Sequence, residues 1–336
     1  MLSLNLKKLV NGEGANIEAG KKQFAELLTG QKMKRRWELV IEYIDRRTGK
    51  AEVEVIEGKE MLRWAYETNS GRLFMNLIGK NKGLSLLYGA FCKSFLTKGK
   101  IKPFIKRMNI DMSEALLENP EEYASFNDFF TRHLKPDSRM IHIDPKSVVS
   151  PADGRILVYQ SIEKDRLIQV KGKSSPLSSI LNNHELSEYF SGGSAAVIRL
   201  APSDYHRFHF PVNGIPQKAQ LINGDYYSVN PCALKTVEHI YCRNKRMTTL
   251  IDTFEMDKMA MVEVGATMVG SIVQTYYPGA PASKGAEKGY FQLGGSTVIL
   301  LFRSGSIKWH SDLIENTNNG YETLVKMGEA VAGAIT

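Results

Sequence analysis

The chain has 336 residues, 43% hydrophobic and 24% charged, with a net charge of +8. That length buries a sizeable core in one or two domains, and the ordinary composition excludes a disordered or fibrous chain. Three scattered cysteines, Cys92, Cys232 and Cys242, fit neither a disulfide framework nor a zinc site and suit a reducing compartment.

Met1 to Val10 carries Lys7 and Lys8 but no long apolar run behind them, which argues against a secretory signal. No stretch approaches the roughly 18 apolar residues of a spanning helix. Residues 1–31 offer only short helices around Gly12-Glu13-Gly14. Trp37–Ile44 and Ala51–Ile56, joined by the Gly49 turn, read as a β-hairpin, because Glu and Val alternate in the second run. Residues 61–110 hold ten Lys or Arg and one acid, Glu67, so the whole basic excess lies there. Leu73, Phe74, Leu77 and Ile78, then Leu84, Leu87, Tyr88, Phe91 and Phe95, recur at helical spacing between those cations. A basic amphipathic helix suits the headgroup boundary of an anionic bilayer. A helical pair packed on the body with a solvated basic face fits the pattern equally well. Nucleic acid is a weaker partner, since no motif for it accompanies the charge.

Ser125 with Asp128 three residues on predicts a capped helix that Pro136 ends, with Phe126, Phe129 and Phe130 as core anchors. After Pro145 short β-like runs recur: 155–160, 167–170, 195–200, 220–222, 259–264, 271–275, 298–302 and 306–309. Gly, Pro, Asn and Asp punctuate them, as in a sandwich or barrel. Helical interruptions are expected near 177–182 and 320–332. The expected fold is α+β: an N-terminal helical, basic amphipathic layer over 1–139 and a β-rich, sandwich- or barrel-like catalytic domain over 140–336.

Three short stretches in the β-rich part carry groups fit for chemistry. Ser150-Pro151-Ala152-Asp153-Gly154 supplies an acid in what is otherwise an ordinary turn. Asp204-Tyr205-His206-Arg207-Phe208-His209-Phe210-Pro211 supplies two of only seven histidines. No further cluster completes a metal set, so no metal is expected. Leu293-Gly294-Gly295-Ser296-Thr297 supplies a serine at the mouth of an apolar strand. It is not the elbow of an α/β hydrolase, since Val298 stands where the last glycine belongs. Together they are the parts of a nucleophile–base–orienter set.

These three stretches, in this order, resemble the phosphatidylserine decarboxylases. So do Phe126-Asn127-Asp128-Phe129-Phe130-Thr131-Arg132, Val264 to Ile272, Lys284 to Phe291 and Glu322 to Gly328. The resemblance runs from about residue 45 to the end. It implies a proenzyme that cuts itself between Gly295 and Ser296. The base would be His209, oriented by Asp153, and Ser296 would attack the Gly295 carbonyl. Loss of the Ser296 α-proton then expels the Gly295 carboxylate, and hydrolysis of the dehydroalanine leaves a pyruvoyl group. That cofactor would hold the substrate amine as a Schiff base and accept electrons as carbon dioxide leaves. His206 would return the proton, although on sequence alone the two histidines could exchange roles.

The implied activity turns phosphatidylserine into phosphatidylethanolamine. The expected partners are phosphatidylserine at an anionic membrane surface, the large (1–295) and small (296–336) pieces of the cut chain, and a second copy in a homodimer. The expected place is the cytoplasmic face of a bacterial membrane. Three alternatives stand beside this reading: a pyruvoyl decarboxylase of a soluble amino acid, a serine hydrolase using Ser296, His209 and Asp153, and a lipid-surface module without chemistry.

Overall fold

A ten-stranded sheet forms the centre of the fold. Across it the strands run Gln220–Ile222, Arg246–Thr253, Met259–Gly265, Ser296–Phe302, Ser194–Leu200, Gly154–Tyr159, Glu322–Val325, Glu42–Asp45 and Lys50–Val53, with Gly214–Pro216 also paired to Arg246–Thr253. Neighbours are antiparallel except Glu42–Asp45 on Glu322–Val325. The computed structural model describes residues 41–56, 89–162, 166–170, 173–265, 272–293 and 296–335, with Glu60, Trp64 and Thr68.

Strand Ser296–Phe302 lies in the sheet interior between Met259–Gly265 and Ser194–Leu200, and all three are buried along their whole length. A strand covered on both faces should be continuously apolar, and Val298-Ile299-Leu300-Leu301-Phe302 is. Val298, Leu300 and Phe302 share one core with Ile198 and Leu200 and with Phe208, Phe210 and Phe291, the last three brought in by a second, three-stranded sheet and its flank. That second sheet orders Ile272–Gln274, Glu287–Phe291 and Arg207–His209. A third joins Ile307–Trp309, Ala330–Ala334 and Ser147–Val149. The body is thus mixed α/β and dominated by sheet, with short helices, and residues from Ile41 onward form one compact unit. The large sheet keeps two ends, Gln220–Ile222 and Lys50–Val53.

The expected hairpin forms as Glu42–Asp45 and Lys50–Val53. Arg46 in its turn ties the hairpin down, donating to Asp312 at 2.7 Å and to the Ala330 carbonyl at 2.6 Å. The predicted helix is Phe126–Phe130, and the Ser125 hydroxyl accepts from the Asp128 N–H at 3.2 Å. It stops at Phe130, six positions before Pro136, so that proline does not end it. The helix expected over 320–332 is instead two strands, Glu322–Val325 and Ala330–Ala334, preceded by helix Ser311–Asn318. Gly320 and Gly328 adopt φ values of 86° and 89°, which interrupt any helix there.

Of the basic segment, Trp64, Thr68 and Gly89 onward are described; the apolar spacing expected from Leu73 to Tyr88 lies outside the described residues. Helix Ile101–Met108 buries Ile101, Phe104 and Met108 against Tyr123 and Phe129, so this stretch packs on the body. Just before it Phe95 and Leu96 stand 76% and 64% exposed. No helix among the described residues is long and apolar enough to cross a membrane.

Between the ten-stranded sheet and the second sheet lies a buried ion pair. Lys288 donates to Glu263 at 2.8 Å and to Gln274 at 2.7 Å, and both charged residues are fully buried. Lys288 sits at a bulge, where the pairing with Arg207–His209 slips between Glu287 and Gly289, and the bulge turns its side chain inward. Burial pushes Glu263 upward and Lys288 downward, each toward neutrality.

Candidate active site

Ser296 is the first residue of its strand, flanked in register by Gly265 and Leu200, and it is fully buried. Its hydroxyl oxygen lies 3.1 Å from Nδ1 of His206, ninety residues earlier. The other ring nitrogen, Nε2, lies 3.0 Å from the Ala201 carbonyl. A carbonyl only accepts, so Nε2 carries the proton and Nδ1 presents its lone pair to the serine. Burial pulls His206 down to about 4, against the opposing influence of Asp204. The imidazole is therefore neutral near pH 7, as a general base must be.

The helix Phe126–Phe130 forms one wall. Phe130 stacks on the His206 ring at 3.9 Å between centroids and 26° between planes. Asn127 accepts from the Leu293 N–H at 3.2 Å, which ties the helix to the segment leading into Gly294-Gly295. Arg132, just past the helix, donates to the Ser203 carbonyl at 3.2 Å and lies over the Phe129 ring at 5.0 Å.

His209 occupies a separate position. Its Nδ1 donates to the Gly285 carbonyl at 2.9 Å, which leaves Nε2 to accept from the Tyr205 hydroxyl at 3.2 Å. Burial lowers its pKa as well. The backbone N–H of His209 donates to the Pro151 carbonyl at 2.7 Å, so the Asp153 turn and the histidine strand are neighbours. Gly154, next in the chain after Asp153, lets its strand lie close against Ser194–Leu200, since a Cβ there would sit 2.7 Å from the Arg199 carbonyl oxygen.

Asp153 itself turns to cations. Arg139 donates to both of its oxygens, at 2.6 and 2.9 Å. Lys326 donates at 3.2 Å and the Met327 N–H at 2.9 Å. Burial alone would raise the carboxyl, but Lys326, Arg139 and the Met327 N–H overrule it and hold Asp153 at about 2. Asp153 is thus a permanent buried anion. Its hydrogen bonds go to Arg139, Lys326 and Met327, and those of His209 to Tyr205 and Gly285.

The structure therefore brings Ser296 and His206 into contact, while His209 and Asp153 are engaged with other partners. Gly295 lies outside the described residues. Sequence reasoning did not anticipate Arg139 and Lys326 around Asp153, the stacking of Phe130, or the Asn127 anchor. Lys326 and Asn127 did lie in stretches already noted for their resemblance, which was the available signal. No group of three or more His, Cys, Asp or Glu able to hold a metal occurs among the described residues.

A buried serine whose hydroxyl faces the free nitrogen of a neutral histidine has the geometry of a serine–histidine pair, here at the first residue of an interior strand and closed to solvent. The sequence pattern of the family described as phosphatidylserine decarboxylase matches residues 126–333. The chain is 46% identical over 292 residues to the phosphatidylserine decarboxylase proenzyme of Clostridium kluyveri, covering 87% of this chain and 98% of that protein. It is 44% identical to the proenzyme of Clostridium beijerinckii over the same length and shares, and 41% identical to that of Desulfitobacterium hafniense, again over 292 residues. The chain belongs to the phosphatidylserine decarboxylase family.

Proposed function

We propose that this chain is a self-processing carboxy-lyase that converts phosphatidylserine into phosphatidylethanolamine and carbon dioxide, after cutting itself between Gly295 and Ser296. The observation that carries the reading is the 3.1 Å contact between Ser296 and His206, at the residue where the family's proenzymes would make their new N-terminus. Nδ1 of His206 takes the hydroxyl proton, and the serine oxygen attacks the carbonyl of its own preceding residue. Complete burial of Ser296 favours this internal target over an external ester and keeps competing water away.

Residue 296 is where the pyruvoyl group belongs. The site fits such a group: small Gly265 stands opposite, Leu200 and Phe130 supply apolar walls, and His206 is within reach. Formed there, the group supplies an electron-accepting ketone for decarboxylation. Nδ1 of His206, having taken up a proton, faces residue 296 and returns that proton to the reacting carbon, and the apolar walls exclude water. A second assignment keeps His209 as the base for the cut and His206 for turnover. It is favoured by the permanent charge of Asp153 beside the His209 strand, and it needs His209 to leave Tyr205 for Ser296.

Exposed Phe95 and Leu96, next to Lys93, Lys98 and Lys100, support a role for residues 1–139 in meeting an anionic bilayer at the cytoplasmic face. The core shared by Phe208, Phe210 and Phe291 with the large sheet supports a sandwich-like catalytic domain over 140–336. A homodimer fits this reading as well.

The test is direct. Purified protein should consist of fragments 1–295 and 296–336, the smaller blocked at its N-terminus and reactive to carbonyl reagents. It should release carbon dioxide from phosphatidylserine in vesicles. An uncut chain that hydrolyses esters would overturn the reading, and release from a free amino acid alone would overturn its substrate.

A further inference from the structure

Arg132 stands two residues past the helix Phe126–Phe130 and is only 5% exposed. Its backbone is pinned. The Arg132 N–H donates to the Phe129 carbonyl at 3.1 Å, and the Thr131 carbonyl just before it accepts from Nε of Arg207 at 2.9 Å. The guanidinium lies over the Phe129 ring and gives Nη2 to the Ser203 carbonyl at 3.2 Å. Nη1 is buried and has no hydrogen-bond partner. Asp153 and Asp204 favour the charge of Arg132 from a distance, but these carboxylates are committed to Arg139 and Arg155, and burial works against the charge. The guanidinium stands beside the site: its charge is felt at His206, whose Nδ1 lies 3.1 Å from Ser296 and whose ring is stacked on Phe130.

A buried cation with an unpaired nitrogen is costly to keep, and the fork of an arginine matches the oxygens of a phosphate. We propose that Arg132 holds the phosphodiester of the substrate headgroup, through the Nη1 that the folded chain leaves unpaired. This rests on the reading in which phosphatidylserine is the substrate. In that lipid one methylene and one ester oxygen separate the amine-bearing carbon from the phosphate. An amine joined to residue 296 therefore brings the phosphate close to the wall that carries Phe130 and Arg132. The carboxylate sits on the same carbon but is the poorer partner. It loses its charge as carbon dioxide leaves, so a guanidinium on it would stabilise the starting state and slow the reaction. The phosphate keeps its charge throughout, and gripping it fixes the headgroup without that penalty. Ser296 and Nη1 are both shut from solvent in the uncut chain, so entry of a headgroup must open the two together.

The experiment uses the purified, cut protein and phosphatidylserine in detergent micelles, with carbon dioxide release counted per carbonyl-reactive N-terminus. Arg132→Met should raise KM about tenfold or more and lower kcat much less. Arg132→Lys keeps a cation without the fork and should raise KM only about threefold. Glycerophosphoethanolamine carries the phosphodiester and the amine but no carboxylate. It should inhibit the parent, and inhibit Arg132→Met about tenfold more weakly. An unchanged KM in both variants would overturn the inference. So would equal inhibition of parent and Arg132→Met, which would give the carboxylate to Arg132 instead. A thermal midpoint lowered in both variants with KM kept would mark an arginine that serves only the fold, and would overturn it as well. Should Arg132→Met fail to fold or to cut, KM and inhibition of Arg132→Lys decide alone, and parental values there refute the phosphate contact. A parent that releases no carbon dioxide from phosphatidylserine overturns the substrate reading and this inference together. An active parent with unaltered variants overturns this inference only.

Discussion

Arg139 grips both carboxylate oxygens of Asp153, from Nη2 at 2.6 Å and from Nε at 2.9 Å. The pair is almost wholly buried, so each charge depends on the other. Arg139→Met leaves Asp153 with Lys326 and the Met327 N–H and should lower stability by about 3–5 kcal/mol. Urea unfolding of an uncut Ser296→Ala background measures this without interference from cutting. A loss below about 1 kcal/mol would show that Lys326 suffices.

The same carboxylate sets an acid limit. Its folded pKa of about 2 lies below the roughly 3.9 of an unfolded aspartate, so its contribution is complete above that value. It is lost as pH falls from about 4 to about 2, and amounts to about 2 kcal/mol. Asp153→Asn should flatten this part of the stability–pH curve, in whatever measure the remaining carboxylates allow. An unchanged slope between pH 4 and 2 would contradict the depressed pKa.

The two histidines are separable by which product each variant makes. With His206 on Ser296, His206→Ala should stay a single chain, whereas His209→Ala should cut, more slowly, into 1–295 and 296–336. Denaturing gels read the result. The reverse pattern, with His206→Ala cut but unable to release carbon dioxide, would assign the cut to His209.

Lys288 and Glu263 test the interior between the sheets. Lys288→Met strands a buried carboxylate and should cost about 3–5 kcal/mol. Adding Glu263→Leu removes the stranded charge and should recover most of that loss. If the double variant is no better than the single one, Gln274 and packing around Phe208 carry the site instead.

At the surface, Phe95→Ser with Leu96→Ser should weaken binding to vesicles containing phosphatidylserine several-fold, while cutting proceeds as before. Sedimentation with vesicles is the measurement. Full binding by the double variant would remove these two residues from the membrane contact.

Much of the sheet was legible because its strands are short and bounded by turn residues: 194–200, 220–222, 259–265 and 296–302 lie within two residues of their expected limits. The strands that escaped notice have mixed patterns. Glu287–Phe291 carries a bulge with an inward lysine, and Arg246–Thr253 alternates through threonines that read as polar. Glu322–Val325 and Ala330–Ala334 were mistaken for helix because small apolar residues recur there at both periods. At the site, the identities of Ser296, His206, His209 and Asp153 could be read from local motifs. Their pairing could not, since Arg139 and Lys326, 187 positions apart in the chain, decide where Asp153 points.

Ser296 begins a strand locked on both sides in the middle of the largest sheet, and the forty residues after it also supply Glu322–Val325 and parts of the third sheet. A cut before it would leave two polypeptides woven through each other rather than two parts side by side. The folded state would keep every strand pairing, so the cut protein should hold together without a covalent link. Its unfolded state would be different, because two chains must then find each other before the sheet can close. Folding would become dependent on concentration, and thermal damage hard to reverse. The uncut precursor is in that sense the only form built to fold from a single chain, and the mature protein would persist by never fully coming apart.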